Sequence, residues 1–264
     1  MVKWTFRILV RRILTKNLTF ASMNFFKNNL ANAFTLANLF SGSIGVINLI
    51  EGNYGVTAIC IVVSLVLDFF DGFIARALKS NSNLGAQLDS LADMVSFGVI
   101  PGVAMYKTLE PFGSQLLGME LPFEIKYFGL LITLFSCLRL AIFNLDEEQT
   151  YYFKGLNTPS NTILIFSFLA LLEFDLLANY SEFGKFLHHE NFLLAVTFLS
   201  SWLLISPIKM IALKFKSMKL HDNYPKIVLL IGSVLILGIF TVVGIPLVIV
   251  YYILVSLFFQ KQLK

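Results

Sequence analysis

Apolar runs long enough to cross a lipid bilayer follow one another along most of this 264-residue chain. A hydrocarbon core about 30 Å thick takes roughly 20 residues of helix. The runs at about 34–50, 55–78, 84–106, 126–144, 160–178, 191–211, 226–243 and 245–260 approach or exceed that length. Lipid offers the backbone no water to hydrogen-bond, so each run must pair its own N–H and C=O groups, and a helix does so within one segment. The expected fold is an all-α integral membrane protein of about eight spans. Charge content agrees, since 14% of the residues are charged against about 25% in a soluble domain.

The basic residues predict an orientation. With the N-terminus in the cytoplasm, 17 of the 20 Lys and Arg residues fall on the inner side, leaving Lys107, Lys126 and Lys185 outside. Both termini are then expected at the cytoplasmic face, of the cell membrane if the source is bacterial. Residues 3–20 interleave Arg7, Arg11, Arg12 and Lys16 with Trp4, Ile8, Leu9, Ile13 and Leu14. That pattern suits an amphipathic helix on an anionic surface, so residues 1–30 read as an N-terminal interfacial segment. Residues 31–211 read as the transmembrane core. Residues 212–264 read as a basic linker and a two-helix hairpin turning at Gly244–Pro246. Cys60 and Cys137 lie in apolar runs and form neither a disulfide framework nor a metal motif.

Four aspartates interrupt the second and third runs, in DFFDGFIARALKSNSNLGAQLDSLAD at 68–93. Asp68 and Asp71 are three apart and Asp89 and Asp93 four apart, so each pair shares a helix face. A short loop around Ser80–Asn83 makes the two spans antiparallel. Counting outward from it sets Asp71 opposite Asp89 and Asp68 opposite Asp93, at roughly 12 and 18 Å from the turn. Bare carboxylates so placed repel, and each is costly to hold in an apolar region. Protonation of some, or divalent cations, would relieve this. An all-oxygen set without His or Cys suits Mg²⁺ or Mn²⁺, and two such ions balance four charges. Gly72 and Gly85, with Ala75, leave a backbone-lined slot beside the carboxylates. Arg76 adds a permanent cation suited to a phosphate oxygen. Metals, slot and arginine together describe a nucleotide-diphosphate site with two-metal phosphoryl chemistry. The competing class is a divalent-cation transporter, which often carries matching ligands in paired repeats. Here the acidic segment occurs once.

The eight positions Asp68, Asp71, Gly72, Ala75, Arg76, Gly85, Asp89 and Asp93, over 26 residues, resemble the signature of the CDP-alcohol phosphotransferases. The resemblance implies a six-helix catalytic core, here followed by two further C-terminal helices, and usually homodimeric. Such enzymes transfer a phosphatidyl-type group from a CDP-linked lipid to a hydroxyl and release CMP. It implies the four aspartates as metal ligands, Asp93 also as general base, and Gly72, Ala75, Arg76 and Gly85 beside the CDP-lipid. Within the family, SFGVIPGVAMY (96–106), LRLAIFN (138–144), NAFTLANLFSG (32–42) and FKGLNTPSNT (153–162) are similar to the branch of membrane-bound phosphatidylserine synthases. That implies CDP-diacylglycerol and L-serine as substrates, and no nucleic-acid partner. The departures are Ile142 where an arginine is common, Asn157 for a proline, and Ser160–Thr162 for small apolar residues.

A charge argument reaches the acceptor separately. With Arg76 serving nucleotide phosphates, Arg139 is the remaining cation within a span near the site. One cation suits an amino-acid carboxylate, whereas a phosphate dianion would usually want more. Asn144, near the end of the same span, could add a hydrogen bond. Transfer to glycerol 3-phosphate, inositol phosphate or choline is the alternative within the family.

Overall fold

A proline or a turn punctuates nearly every apolar run, and the helices stop at these marks. A computed structural model describes residues 29–78, 83–116, 119–146, 152–174, 181–212 and 223–262. The expected amphipathic helix at 3–20, the loop at 80–82 and most of the basic linker lie outside these residues. Helix α1 (Asn29–Ile50) turns through Gly52, whose φ of +83° is open to glycine, into α2 (Tyr54–Ala77). Helix α3 (Asn83–Phe112) follows. A small β1–β2 hairpin (Gln115–Leu116 with Met119–Glu120) leads to α4 (Ile125–Leu145).

Strand β3 (Tyr152–Lys154) precedes α5 (Thr158–Glu173), where Asn157 caps the helix by accepting from Ser160 N at 2.7 Å and Pro159 occupies the first turn. Asn157 thus has a local role as the cap of α5. Helices α6 (Ser181–Leu187) and α7 (Glu190–Ile205), strand β4 (Lys209–Ile211), and helices α8 (Tyr224–Phe240) and α9 (Gly244–Phe258) complete the described chain.

Two expectations about boundaries change. The run at 191–211 does not stay helical to its end. Pro207 disfavours helix in the residue before it, so α7 stops at Ile205 and Lys209–Ile211 pair antiparallel with β3. The C-terminal hairpin turns at Thr241–Val243, with Thr241 at φ +50°, rather than at Gly244–Pro246, which open α9.

Helix α3 is not regular throughout. Pro101 has no N–H to give to the carbonyl four residues earlier, and Met94–Val99 form a π-helical turn just before it. Thr162 of α5 takes up the Phe97 carbonyl at 3.0 Å, and Thr133 of α4 takes up that of Gly98 at 3.0 Å. The proline break therefore draws both neighbouring helices onto the segment that follows Asp93.

The main core joins Leu49, Ile100, Met105, Leu109, Ile125, Ile132, Ile165 and Leu193 from α1, α3, α4, α5 and α7. The C-terminal hairpin is packed onto the rest through Tyr252, Val255 and Phe259 against Leu156, Leu203 and Met210, and through Ile249 against Leu164 and Phe168. It also holds β4. Tyr252 donates to the Ile211 carbonyl at 3.1 Å, and Gln260 bonds both backbone groups of Lys209. Outward, large apolar side chains are bare, with Phe40 at 69%, Phe69 at 62% and Val234 at 69% exposure. So much exposed apolar surface marks a membrane-facing protein.

Among the described residues, five stretches, Asn29–Ile50, Tyr54–Ala77, Asn83–Phe112, Ile125–Leu145 and Tyr224–Phe258, are long and apolar enough to cross a bilayer; α5 and α7, 16 residues each, are shorter.

Candidate active site

Helices α2 and α3 carry the aspartates, and α1 completes the site. Asp68, Asp71 and Asp89 each present an oxygen such that all three lie within 4.8 Å of one another. Asp71 is buried and its Oδ2 accepts from Thr35 Oγ1 of α1 at 2.7 Å. The Asp89 Oδ1 is buried without a hydrogen-bond partner among the described residues. A triad of converging carboxylates with an orphaned buried oxygen fits a hard divalent ion, since oxygen donors are what Mg²⁺ and Mn²⁺ take.

Asp93 is not one of this group of three. Its Oδ1 accepts from Asn38 Nδ2 at 3.3 Å, and Ser96 of the π-helical turn donates to the Asn38 Oδ1 at 2.8 Å. Asn38 and Ser96 are both completely buried. Gly42, one turn along α1, lets this contact form, because a Cβ there would stand 2.9 Å from the Ser96 Cα.

Beside the carboxylates opens a cleft of about 300 Å³, lined by Ala31, Asn32 and Thr35 of α1, Asp71, Gly72 and Ala75 of α2, and Asn83, Gly85, Ala86 and Asp89 of α3. Gly72, Ala75 and Gly85 thus line one cleft with Asp71 and Asp89. Arg76 is exposed at its edge and folds back over Gly72, where a Cβ would meet its Nη1 at 3.3 Å.

Arg139 and Asn144 are not brought together. Arg139 is buried, 7% exposed, with its guanidinium over the Phe143 ring at 5.5 Å and its Nε without a hydrogen-bond partner among the described residues. It opens onto a second cavity of about 310 Å³ with Ile142, Asp146, Lys154 and Leu204. Asn144 is exposed and its Nδ2 donates to Ser90 of α3 at 2.9 Å. Five residues separate the two, about 140° around a helix, so they leave α4 on different sides.

Thr35, Asn38 and Ser96 are site residues that the reading of the sequence missed. The available signal was on α1, where Ala31, Thr35, Asn38, Gly42 and Gly45 recur every three or four residues as a small or polar face of an apolar run.

A membrane helix bundle with an intramembrane carboxylate cluster facing a glycine-lined cleft is the class that fold and site define. Residues 28–205 match the model of the CDP-alcohol phosphatidyltransferase family, and the chain belongs to that family. It is an integral membrane protein. It is 32% identical over 125 residues to a CDP-diacylglycerol–serine O-phosphatidyltransferase of Bacillus subtilis, covering 47% of this chain and 66% of that one. Proteins of the same name from Helicobacter pylori strain J99 and Mycobacterium bovis are 30% identical over 136 residues (51% of this chain and 54% of the relative) and 28% over 211 residues (74% and 64%). The matched stretches span about half to two thirds of these relatives' own length.

Proposed function

We propose that this protein transfers the phosphatidyl group of CDP-diacylglycerol to the hydroxyl of L-serine, giving phosphatidylserine and CMP. The observation that carries the reading is the convergence of Asp68, Asp71 and Asp89 within 4.8 Å beside a glycine-lined cleft. The names of the relatives support serine as acceptor.

In this reading Asp68, Asp71 and Asp89 hold divalent metal, Mg²⁺ or Mn²⁺, which supplies counter-charge to the diphosphate when bound. Thr35 fixes the rotamer of Asp71 through its 2.7 Å hydrogen bond. Gly72, Ala75 and Gly85 admit the nucleotide close to the backbone, and Arg76 meets a phosphate oxygen at the cleft's edge. Arg139 takes the acceptor's carboxylate. Asp93, oriented by Asn38, removes the serine hydroxyl proton as that oxygen attacks the lipid-side phosphorus. The bond from this phosphorus to the bridging oxygen breaks, and CMP leaves with the electron pair. Asn144, tied to Ser90 next to Asp89, steadies α4 against α3. The distribution of Lys and Arg supports a site opening to the cytoplasm.

The test is product identity. Purified protein with CDP-diacylglycerol, Mg²⁺ or Mn²⁺ and a panel of labelled serine, glycerol 3-phosphate, inositol phosphate and choline should yield phosphatidylserine and CMP in equal amounts. Label entering lipid from another alcohol in preference to serine contradicts the assignment.

A further inference from the structure

The second cavity brings a cation from outside the spans to the buried arginine. Arg139, Ile142 and Phe143 of α4, with Asp146 just past its end, recur at intervals of three and four and line one side of it. Lys154 of β3, and Leu204 to Pro207 around the end of α7, line the rest of its 310 Å³. Arg139 is buried, and its Nε has no hydrogen-bond partner among the described residues. Lys154, with 37% of its side chain exposed, stands toward the opening. Ile142 lies in the same lining and brings no charge.

The backbone that carries Lys154 is pinned on both sides. Strand pairing sets Lys154 opposite Lys209. Immediately after it, the Gly155 N–H donates to the Ile208 carbonyl at 2.8 Å and the Leu156 N–H to the Leu203 carbonyl at 2.9 Å. Gly155 makes this approach possible: its φ is +75°, and a Cβ there would stand 2.5 Å from the Leu204 carbonyl oxygen. Lys154 therefore reaches the cavity from a fixed base. Its Nζ donates to Asp146 Oδ2 at 2.8 Å, which ties the lysine to the end of α4. At the other end of the cavity, Arg139 lies near enough to Asp93 to feel its charge, and this links the cavity to the proposed base.

Two cations facing one cavity suit an anion, and both offer N–H donors that a carboxylate can accept from. We propose that this cavity receives the carboxylate of the acceptor, and that Lys154 is its second cation, acting with Arg139. The proposal rests on the serine reading above. Asp146 orients the Lys154 Nζ before the acceptor arrives and competes with the incoming carboxylate for it. Asp146 also offsets part of the positive charge, so the cavity suits a single carboxylate better than a phosphate dianion. The lysine's flexible stem lets its ammonium move from one carboxylate toward the other while β3 stays in place.

The full chain, with CDP-diacylglycerol, divalent metal and labelled L-serine, tests this through three variants whose thermal midpoints are measured alongside. Lys154→Met keeps the reach of the side chain and removes its charge. It should raise the serine KM about tenfold and leave kcat and the CDP-diacylglycerol KM unchanged. Asp146→Asn should leave the serine KM unchanged or lower it, because the carboxylate then has one competitor fewer. Ile142→Arg in the Lys154→Met background returns a cation to the same cavity from α4 and should recover most of the lost serine affinity. If the ion pair only braces β3 against α4, the pattern reverses: Asp146→Asn raises the serine KM as much as Lys154→Met, both midpoints fall, and Ile142→Arg restores nothing. That pattern, or a serine KM unaltered by Lys154→Met, overturns the proposal and leaves serine transfer standing. If the double variant does not fold, the contrast between the two single variants carries the test. A wild-type chain that uses glycerol 3-phosphate and no amino acid overturns both.

Discussion

Asp93 differs from the other three carboxylates in its company: a neutral amide, Asn38, locked in turn by Ser96. The proposed division of labour follows, with three aspartates for metal and the fourth for the proton. Asp93→Asn keeps the shape and a carbonyl oxygen while removing the basic site. We expect folded protein that binds CDP-diacylglycerol with metal and turns over at least ~100-fold more slowly, read by equilibrium binding and single-turnover rates on one preparation with its metal content measured. Turnover near wild type would move the base to another residue. Much of the candidate site was legible at this scale because eight of the residues proposed for it sit within 26 positions, where helical spacing alone assigns faces. Thr35 and Asn38 were harder, since 36 and 55 residues separate them from the aspartates they bond. Asn144 was misplaced for a geometric reason: its proximity to Arg139 in sequence translates into a different side of α4.

The π-helical turn Met94–Val99 is the element that ties these residues together. It follows Asp93 directly, offers Ser96 to α1, and gives its Phe97 and Gly98 carbonyls to α5 and α4. Such turns recur at functional sites, and here the sequence cause is Pro101. Gly42 is its counterpart on α1. Gly42→Ala would set a Cβ against the Ser96 backbone at 2.9 Å and against its hydroxyl more closely still, so α1 must shift and carry Asn38 away from Asp93. The expected cost is about 1–3 kcal/mol of stability, seen as a lower thermal midpoint, together with a fall in turnover. An unchanged midpoint and rate would mean that the α1–α3 approach is not needed. The helices themselves were readable from hydropathy, but strands of three residues leave no periodic trace, so β3 and β4 were not. Their pairing explains what the last two helices contribute: Tyr252, Ser256 and Gln260 satisfy β4, which otherwise presents open backbone groups.

At the scale of the molecule, an apolar exterior surrounds an interior that holds buried polar and charged groups. Exposed phenylalanines and leucines coat the outer helix faces, while the carboxylates of α2 and α3 meet Thr35 and Asn38 of α1 inside. Taken from water, such groups are expensive, and their retention is accounted for if metal, nucleotide and acceptor complete them. Metal dependence therefore tests the central claim most directly. The rate of CMP release from CDP-diacylglycerol in the presence of serine should be measured on protein stripped of metal, with removal verified by elemental analysis, and again after Mg²⁺ or Mn²⁺ is restored. The account predicts no release from the stripped protein and recovery with either ion. Full release from verified metal-free protein would contradict it.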